Sequence, residues 1–525
     1  MIFVGGRVYA PDQPGATAVV TDGRLISYVG EDEAARRTAP GQTEVDLQGR
    51  LVTPAFVDAH VHLIQAGQAM AGLGLQDATS RDDAVARVAA YARRHPDAHI
   101  IVGHGWDERA WPEPLPPTRT ELDRAAGGVA VYLARVDVHS AVVSSSLLDQ
   151  LPGVSKAIGY RVDGLLTREA HHLCRGNLDR LFTDQERRSA ARAALLAAAT
   201  RGVATVHDLG GPHLGPAEDL RRVREVAADL GMGVVSYWGE LATEPTIEWA
   251  QQAGVAGLAG DLCVDGALGS RTAALCEPYA DAETRGARYL SEQQIADHVI
   301  ACTEAGLQAG FHCIGDDAVA TTVSGLRLAA DKLGVARIRA ARHRLEHLEM
   351  IFDRDIGTLA ELGVIASVQP AFDAAWGRPG ELYEQRLGLD RARAMNRFAT
   401  LVRYGVPVAF GTDAPVTPFS GWATVRAAVQ HCQPSERMSI AAAFDAATRG
   451  AHWAAFAENA GTITVGAVAD LAVWDLGESD LQGAVPLPRL NDEPLPTCAA
   501  TMAAGEFIYQ SGSFLGSRPR RAEEE

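Results

Sequence analysis

Two histidines, His60 and His62, close the apolar run Leu51-Val52-Thr53-Pro54-Ala55-Phe56-Val57-Asp58-Ala59-His60-Val61-His62. Residues two apart on an extended strand point to the same side, so both imidazoles can face one ion. Three more potential ligands, His312, His347 and Asp413, each stand at the end of another short apolar run. Neutral imidazole and carboxylate suit zinc or a similar first-row divalent ion, and a catalytic site leaves one position open for water. As single residues, strand-end histidines are more often structural than ligating. The weight here lies in the pair and in its repetition along the chain.

Such residues need a scaffold that brings distant strand ends to one place. Short apolar runs at 51–58, 100–103, 129–133, 204–207, 234–237, 262–264, 307–312, 344–346, 364–368 and 408–411 alternate with Ala/Arg/Glu-rich stretches that predict helices at 82–94, 184–200, 216–230, 291–305 and 317–333. This alternation predicts an α/β fold, a (β/α)8 TIM-type barrel whose catalytic groups gather at the C-terminal ends of its parallel strands. Ten runs exceed eight, so some belong to insertions. Residues 1–53 and 464–525 are β-rich instead, with a hairpin marked by Asp22-Gly23. Both ends together predict a small composite β-sandwich domain, leaving 54–463 as the barrel. The acidic end Ala522-Glu523-Glu524-Glu525 predicts a frayed tail.

The chain has 525 residues, 47% of them apolar, enough for a large core. Its net charge of −18 argues against a nucleic-acid partner, because phosphate binding needs a basic face. Seven cysteines without a pairing pattern read as reduced thiols, and no apolar stretch reaches membrane-spanning length. With no signal-peptide pattern at Met1–Arg7, the expectation is a cytoplasmic protein that meets a small-molecule substrate and no membrane. Cys263, Cys302 and Cys313 read as core thiols. His171, His172, His213 and His431 have no spacing argument and read as surface or loop residues. His207 and Asp208 read as hydrogen-bonding residues near the barrel mouth at least as readily as catalytic ones.

Several further segments carry a likeness: Gly105-Trp106-Asp107-Glu108 with Pro117-Thr118-Arg119, Gly202-Val203-Ala204-Thr205-Val206-His207-Asp208, Asp265-Gly266-Ala267-Leu268-Gly269-Ser270-Arg271-Thr272-Ala273, His312-Cys313-Ile314-Gly315-Asp316 and Gly411-Thr412-Asp413-Ala414-Pro415. In this order, over nearly the whole length, they resemble the amidohydrolase superfamily, specifically its YtcJ-like branch, which includes N-substituted formamide deformylases. The resemblance implies that His60 and His62 bind the more buried metal position. It places His312 and His347 where a second metal or the substrate carbonyl is held. Asp413 would ligate metal and act as the base that takes a proton from the attacking water and passes it to the leaving nitrogen. It further implies pocket or substrate contacts by Trp106, Asp107, His139 and Arg271, and a homodimer.

One position departs from the family pattern. Many relatives carry a metal-bridging carboxylated lysine four residues before the Asp-Gly-x-x-Gly-Ser-Arg-Thr motif, and here that place is Asp261. The only lysines are Lys156 and Lys332. The shorter aspartate favours one ion over two, held by His60, His62, His312 and Asp413 with His347 polarising the substrate. Asp261 or Glu169 stands as the extra carboxylate. The expected activity is metal-dependent hydrolysis of a C–N bond in an amide, formamide or cyclic amide. Deamination of a heterocycle by the same groups is one alternative, and a catalytically weakened binding or regulatory relative is another.

Overall fold

Pro54 and Ala55 divide the first apolar run into two strands with different fates. Leu51–Pro54 pairs antiparallel with Leu471–Asp475 near the far end of the chain. Immediately beyond it, Phe56–Val61 (β1) enters a parallel sheet, and the N–H groups of Ala55 and Phe56 donate to Asp470 and Gly202 on the two sides of the junction. The computed structural model describes residues 1–476, 481–482, 486–491 and 494–515. The acidic end 522–525 lies outside these.

From β1 the parallel sheet continues through Val203–Gly210 (β2), Gly233–Trp238 (β3), Gly257–Leu258 (β4), Gln308–Cys313 (β5), Arg344–His347 (β6), Ile365–Val368 (β7) and Val408–Phe410 (β8). Each strand bonds to the next in chain order. A parallel bridge between Val61 and Ala414 and a 2.7 Å bond from Asp413 N–H to His60 O bring the last strand back to the first. The result is the expected eight-stranded α/β barrel. β1, β5, β6, β7 and β8 are buried along their whole length, polar residues included. Helices of the outer layer carry their own start signals. Ser291 and Thr183 each form reciprocal caps with the residue three positions on.

Two of the ten predicted runs, near 100 and 130, lie outside the barrel. Ile100–Trp106 and Ala130–Arg135 form the parallel centre of a separate five-stranded sheet inserted between β1 and β2. The run at 262–264 is also displaced: the strand lies earlier, at β4, and only Cys263 bridges to His312. At the termini, a four-stranded sheet (Ile2–Val4, Ala18–Asp22, Leu25–Gly30, Glu44–Asp46) faces a five-stranded one that includes Leu51–Pro54, Leu471–Asp475, Thr497–Ala503 and Glu506–Gln510. They share an apolar layer with Phe3, Val19, Val52, Leu471 and Met502.

Three insertions meet over the barrel mouth. Tyr132 and Val138 from the inserted sheet, Leu268 and Tyr279 from the segment after β4, and Phe372, Trp376 and Tyr383 from the helices after β7 form one apolar cluster. It covers the end of the barrel where the candidate ligands emerge.

At the seam, Gly411 follows β8 so closely against β1 that a Cβ on it would lie 2.6 Å from His60 N. Backbone on both sides leaves little room to relax. Gly411→Ala is expected to cost about 1–3 kcal/mol of stability, read from the urea midpoint, and an unchanged midpoint would refute this packing.

Candidate metal centre

Parallel strands deliver their C-terminal ends to one mouth, and the candidate ligands follow that geometry. His60 lies in β1 and His62 just after it, His312 in β5, and His347 at the end of β6. Asp261 and Asp413 each follow by three residues the ends of β4 and β8. His347 and Asp413 adopt left-handed backbone, φ 70° and 54°, which turns their side chains off the strand direction. Such values are costly for residues other than glycine and are retained where the surroundings hold them.

The six side chains converge. His62 Nε2 lies 3.2 Å from both Asp261 Oδ2 and Asp413 Oδ1. His60 Nε2 lies 3.5 Å from Asp413 Oδ1 and 3.6 Å from Asp261 Oδ1. Farther out, His312 Nδ1 and His347 Nε2 stand 3.7 and 3.9 Å from Asp261 Oδ1. Two donor sets, His60–His62–Asp413 and His60–Asp261–His347, each bring their ligand atoms within 4.8 Å of one another. All these residues are buried.

Each imidazole is anchored at its other nitrogen. His60 Nδ1 bonds Glu346 Oε2 at 2.8 Å, and His62 Nδ1 bonds Leu209 O at 2.8 Å. His347 Nδ1 bonds Gln369 Oε1 at 2.8 Å, and His312 Nε2 bonds Gly266 O at 3.2 Å. With those nitrogens donating, the opposite lone pairs are aimed inward, the usual outer support of metal-bound histidine. The inner atoms have no hydrogen-bond partner at His60 Nε2, His312 Nδ1, Asp261 Oδ1 and Asp413 Oδ1. Orphaned buried polar atoms each cost roughly 1–3 kcal/mol. Four of them in one buried cluster fit a cation.

Electrostatics agree. Burial lowers the proton affinity of His62, yet the Asp261 and Asp413 carboxylates outweigh it and raise the pKa to about 10. His347 rises to about 9 against the same burial, through Asp261 and Asp413. His60 moves down because burial wins there. Its neighbour Glu346 is already paired with buried Arg344, which also bonds Ala59 O at 2.7 Å and Ser367 Oγ at 2.9 Å. Without a cation, protons on His62 and His347 balance the carboxylates.

Sequence expectations fare unevenly around this core. Asp261 reaches all four histidines. Glu169 is exposed in the first turn of the helix Arg168–Asn177 and does not join them, because its helix start faces solvent. Of the four expected substrate contacts, His139 lines the pocket beside the cluster, its ring 4.9 Å from that of His312. Trp106 does not: its indole N–H donates to Leu133 O at 2.9 Å inside the inserted sheet's own core. Asp107 is engaged by Arg109 and Arg135 instead. Arg271 pairs with Asp281 at 2.7 Å, outside the pocket. His207 accepts from Arg344 Nη1 at 3.1 Å, and Asp208 accepts from Leu63 N at 3.1 Å, both supporting roles. His171 and His431 are fully buried and not surface residues, and His172 and His213 pack ring to ring at 5.2 Å close to Asp261. Cys302 and Cys313 are core thiols, whereas Cys263 is only partly covered.

Other residues escaped the sequence reading. Glu346 and Arg344 brace His60. Asp265 is fully buried and accepts the N–H groups of Ala274, Ile314 and Gly315 at 2.8, 3.0 and 2.8 Å, locking the loops after β4 and β5 together. The pocket above the cluster is walled by Phe372, Trp376 and Tyr383. Burial pushes the carboxyl of Glu349, on the same wall, up to about 7. The one signal for the first pair was a charged residue on either side of Leu345 in an otherwise apolar strand.

The Amidohydrolase family profile matches residues 43–509. "Protein LONG AFTER FAR-RED 3" of Arabidopsis thaliana is 27% identical over 92% of this chain and 89% of that protein. "Putative amidohydrolase YtcJ" of Bacillus subtilis is 27% identical over 82% of this chain and 83% of its own length. Among solved structures, an uncharacterized metal-dependent hydrolase from Pyrococcus furiosus superposes with a TM-score of 0.70 at 25% identity, covering 90% of this chain and 98% of that one. No helix among the described residues is long and apolar enough to cross a membrane.

Two measurements check the centre. Glu346→Gln is expected to weaken divalent-metal affinity about 10- to 100-fold, read by competition with a chromophoric chelator; unchanged affinity would remove Glu346 from the support of His60. Below the raised pKa values of His62 and His347, an entering cation must displace their protons. Metal uptake by chelator-stripped protein should therefore release protons in weak buffer, and affinity should rise with pH towards 9. Uptake without proton release would contradict the arrangement. With the ligand set, its supporting bonds and these matches in place, the chain belongs to the Amidohydrolase family of metal-dependent hydrolases.

Proposed function

We propose that this protein hydrolyses a C–N bond of a small amide-type substrate, using a single divalent ion, most simply zinc, held by His60, His62, Asp261 and Asp413. The observation that carries this reading is the cluster of buried donor atoms on His60, Asp261, His312 and Asp413 that have no hydrogen-bond partner. Ligands at ~2.0–2.1 Å around a tetrahedral zinc stand about 3.3 Å apart. Within the set His60–His62–Asp413 the two histidines stand 3.5 and 3.2 Å from Asp413 Oδ1, which suits one ion, and the two Asp261 oxygens lie 3.6 and 3.2 Å from His60 and His62. His312 and His347, farther from Asp261, are left to face substrate.

A bound divalent ion supplies polarisation of a carbonyl oxygen and a lowered pKa for water. The remaining work falls to this chain. Asp413 opens onto the pocket and is held by its own backbone bond to His60. It takes the proton of the attacking water and returns it to the departing nitrogen. His347, fixed through Gln369, presents Nε2 towards the carbonyl and orients it. Phe372, stacked 6.0 Å from His347 at an interplanar angle of 11°, and Trp376 provide an apolar wall for one arm of the substrate. The covering insertions keep bulk water out.

Purified protein is expected to carry about one equivalent of zinc by mass spectrometry of the metal. A panel of N-formyl and N-acetyl amines should yield carboxylate and amine in equal amounts, with Asp413→Asn lowering kcat per bound metal ion about 10²- to 10⁴-fold. Ammonia release from heterocyclic amines alone would replace amide hydrolysis with deamination. Absence of both metal uptake and turnover would identify a binding relative without activity.

A further inference from the structure

A second pocket lies between the barrel and the inserted sheet. Its wall includes Arg175, from the helix Arg168–Asn177, only 8% exposed. Among the described residues, this guanidinium forms no hydrogen bond or ion pair. Its neighbours do not neutralise it. His104, held near pKa 4 by burial, and His171, His172 and His213, all lowered by burial, carry no charge at neutral pH. The cavity's second arginine, Arg187, is already paired with Asp219. Asp179 also lines the space, one helical turn on, without closing an ion pair. An arginine buried without a partner is expensive, so the arrangement calls for an anion.

Tyr132 supplies a second donor. Its hydroxyl lies 2.9 Å from His171 Nε2, and His171 Nδ1 is buried without a partner. With its proton on Nε2, His171 donates to the Tyr132 oxygen, and the Tyr132 O–H is then available to an acceptor in the cavity it lines. Around these two donors the walls are apolar, with Val102, Ala134, Val138 and Leu214.

We propose that Arg175 and Tyr132 form a binding site for the carboxylate of a small apolar acid. Arg175 matches the planar, two-oxygen geometry of a carboxylate. The cavity reaches Val138 and Pro415, next to pocket residue His139 and two beyond Asp413. The acid is either one arm of the substrate or a separate ligand that acts on the site from behind; both present the same chemistry to Arg175.

Benzoate, with benzamide as the uncharged analogue, is titrated calorimetrically into the full chain, both metal-loaded and chelator-stripped. Benzoate is expected to bind in both states, and benzamide at least about tenfold more weakly. Arg175→Met should weaken benzoate at least about tenfold at unchanged metal content. Tyr132→Phe gives a smaller loss and serves if the arginine variant does not fold. Binding is read without turnover, so its outcome is separate from that of the hydrolase proposal. Where turnover is measured, competition by benzoate marks a substrate arm, and a non-competitive change marks a separate ligand. No benzoate binding, equal binding by both variants and wild type, or binding lost with the metal would overturn the assignment.

Discussion

The contact between Asp261 and four imidazoles is the constraint on which the mouth of this barrel depends. Its carboxylate meets His60, His62, His312 and His347 from three strands, with Asp413 arriving from a fourth. Two buried acids beside each other would repel, and four imidazoles without partners would be desolvated for nothing. Each cost has the same remedy, a positive charge in the middle. The surrounding structure accordingly fixes the outer nitrogens and leaves the inner ones bare. Even the floor contributes, since Arg344 neutralises Glu346 before that residue turns to His60.

The reach of Asp261 depends on where its segment runs. Asp261 rides on the loop after β4, a strand of only two residues. The loop is free to bring a short acid to the axis of the barrel because the strand stops early. Asp265, four residues on, ties that loop to the one after β5.

Much of the frame was legible because it is periodic. Buried parallel strands write themselves as apolar runs, and the His60–His62 spacing states its own geometry. Helix limits predicted at 82–94 and 184–200 fell within a residue of Arg81–Arg94 and Asp184–Ala199. What failed had no periodic signature. The apolar run at 262–264 looked like a strand, yet it pairs with β5 only at the single Cys263–His312 bridge, a length that composition does not reveal. Trp106 and Arg271 carried family-like motifs but are spent within the insertions, on Leu133 and Asp281. The buried histidines 171 and 431 gave no hint, because their partners, Tyr132 and the Asn396 carbonyl, come from segments whose approach only the fold decides.

The terminal sheet has a consequence for how the molecule is made. Thr53 accepts from the Trp474 indole across 421 positions, and Leu51–Pro54, which pairs with Arg7–Val8 on one side, finds its other neighbour only in Leu471–Asp475. During synthesis this strand therefore leaves the ribosome with one side open and waits for nearly the entire polypeptide to follow. An unpaired edge held open that long invites association with other nascent copies. Completion of this sheet is a late, non-local event that locks the two ends together, so removal of a few C-terminal strands would leave the start of the chain, not just its end, without a home.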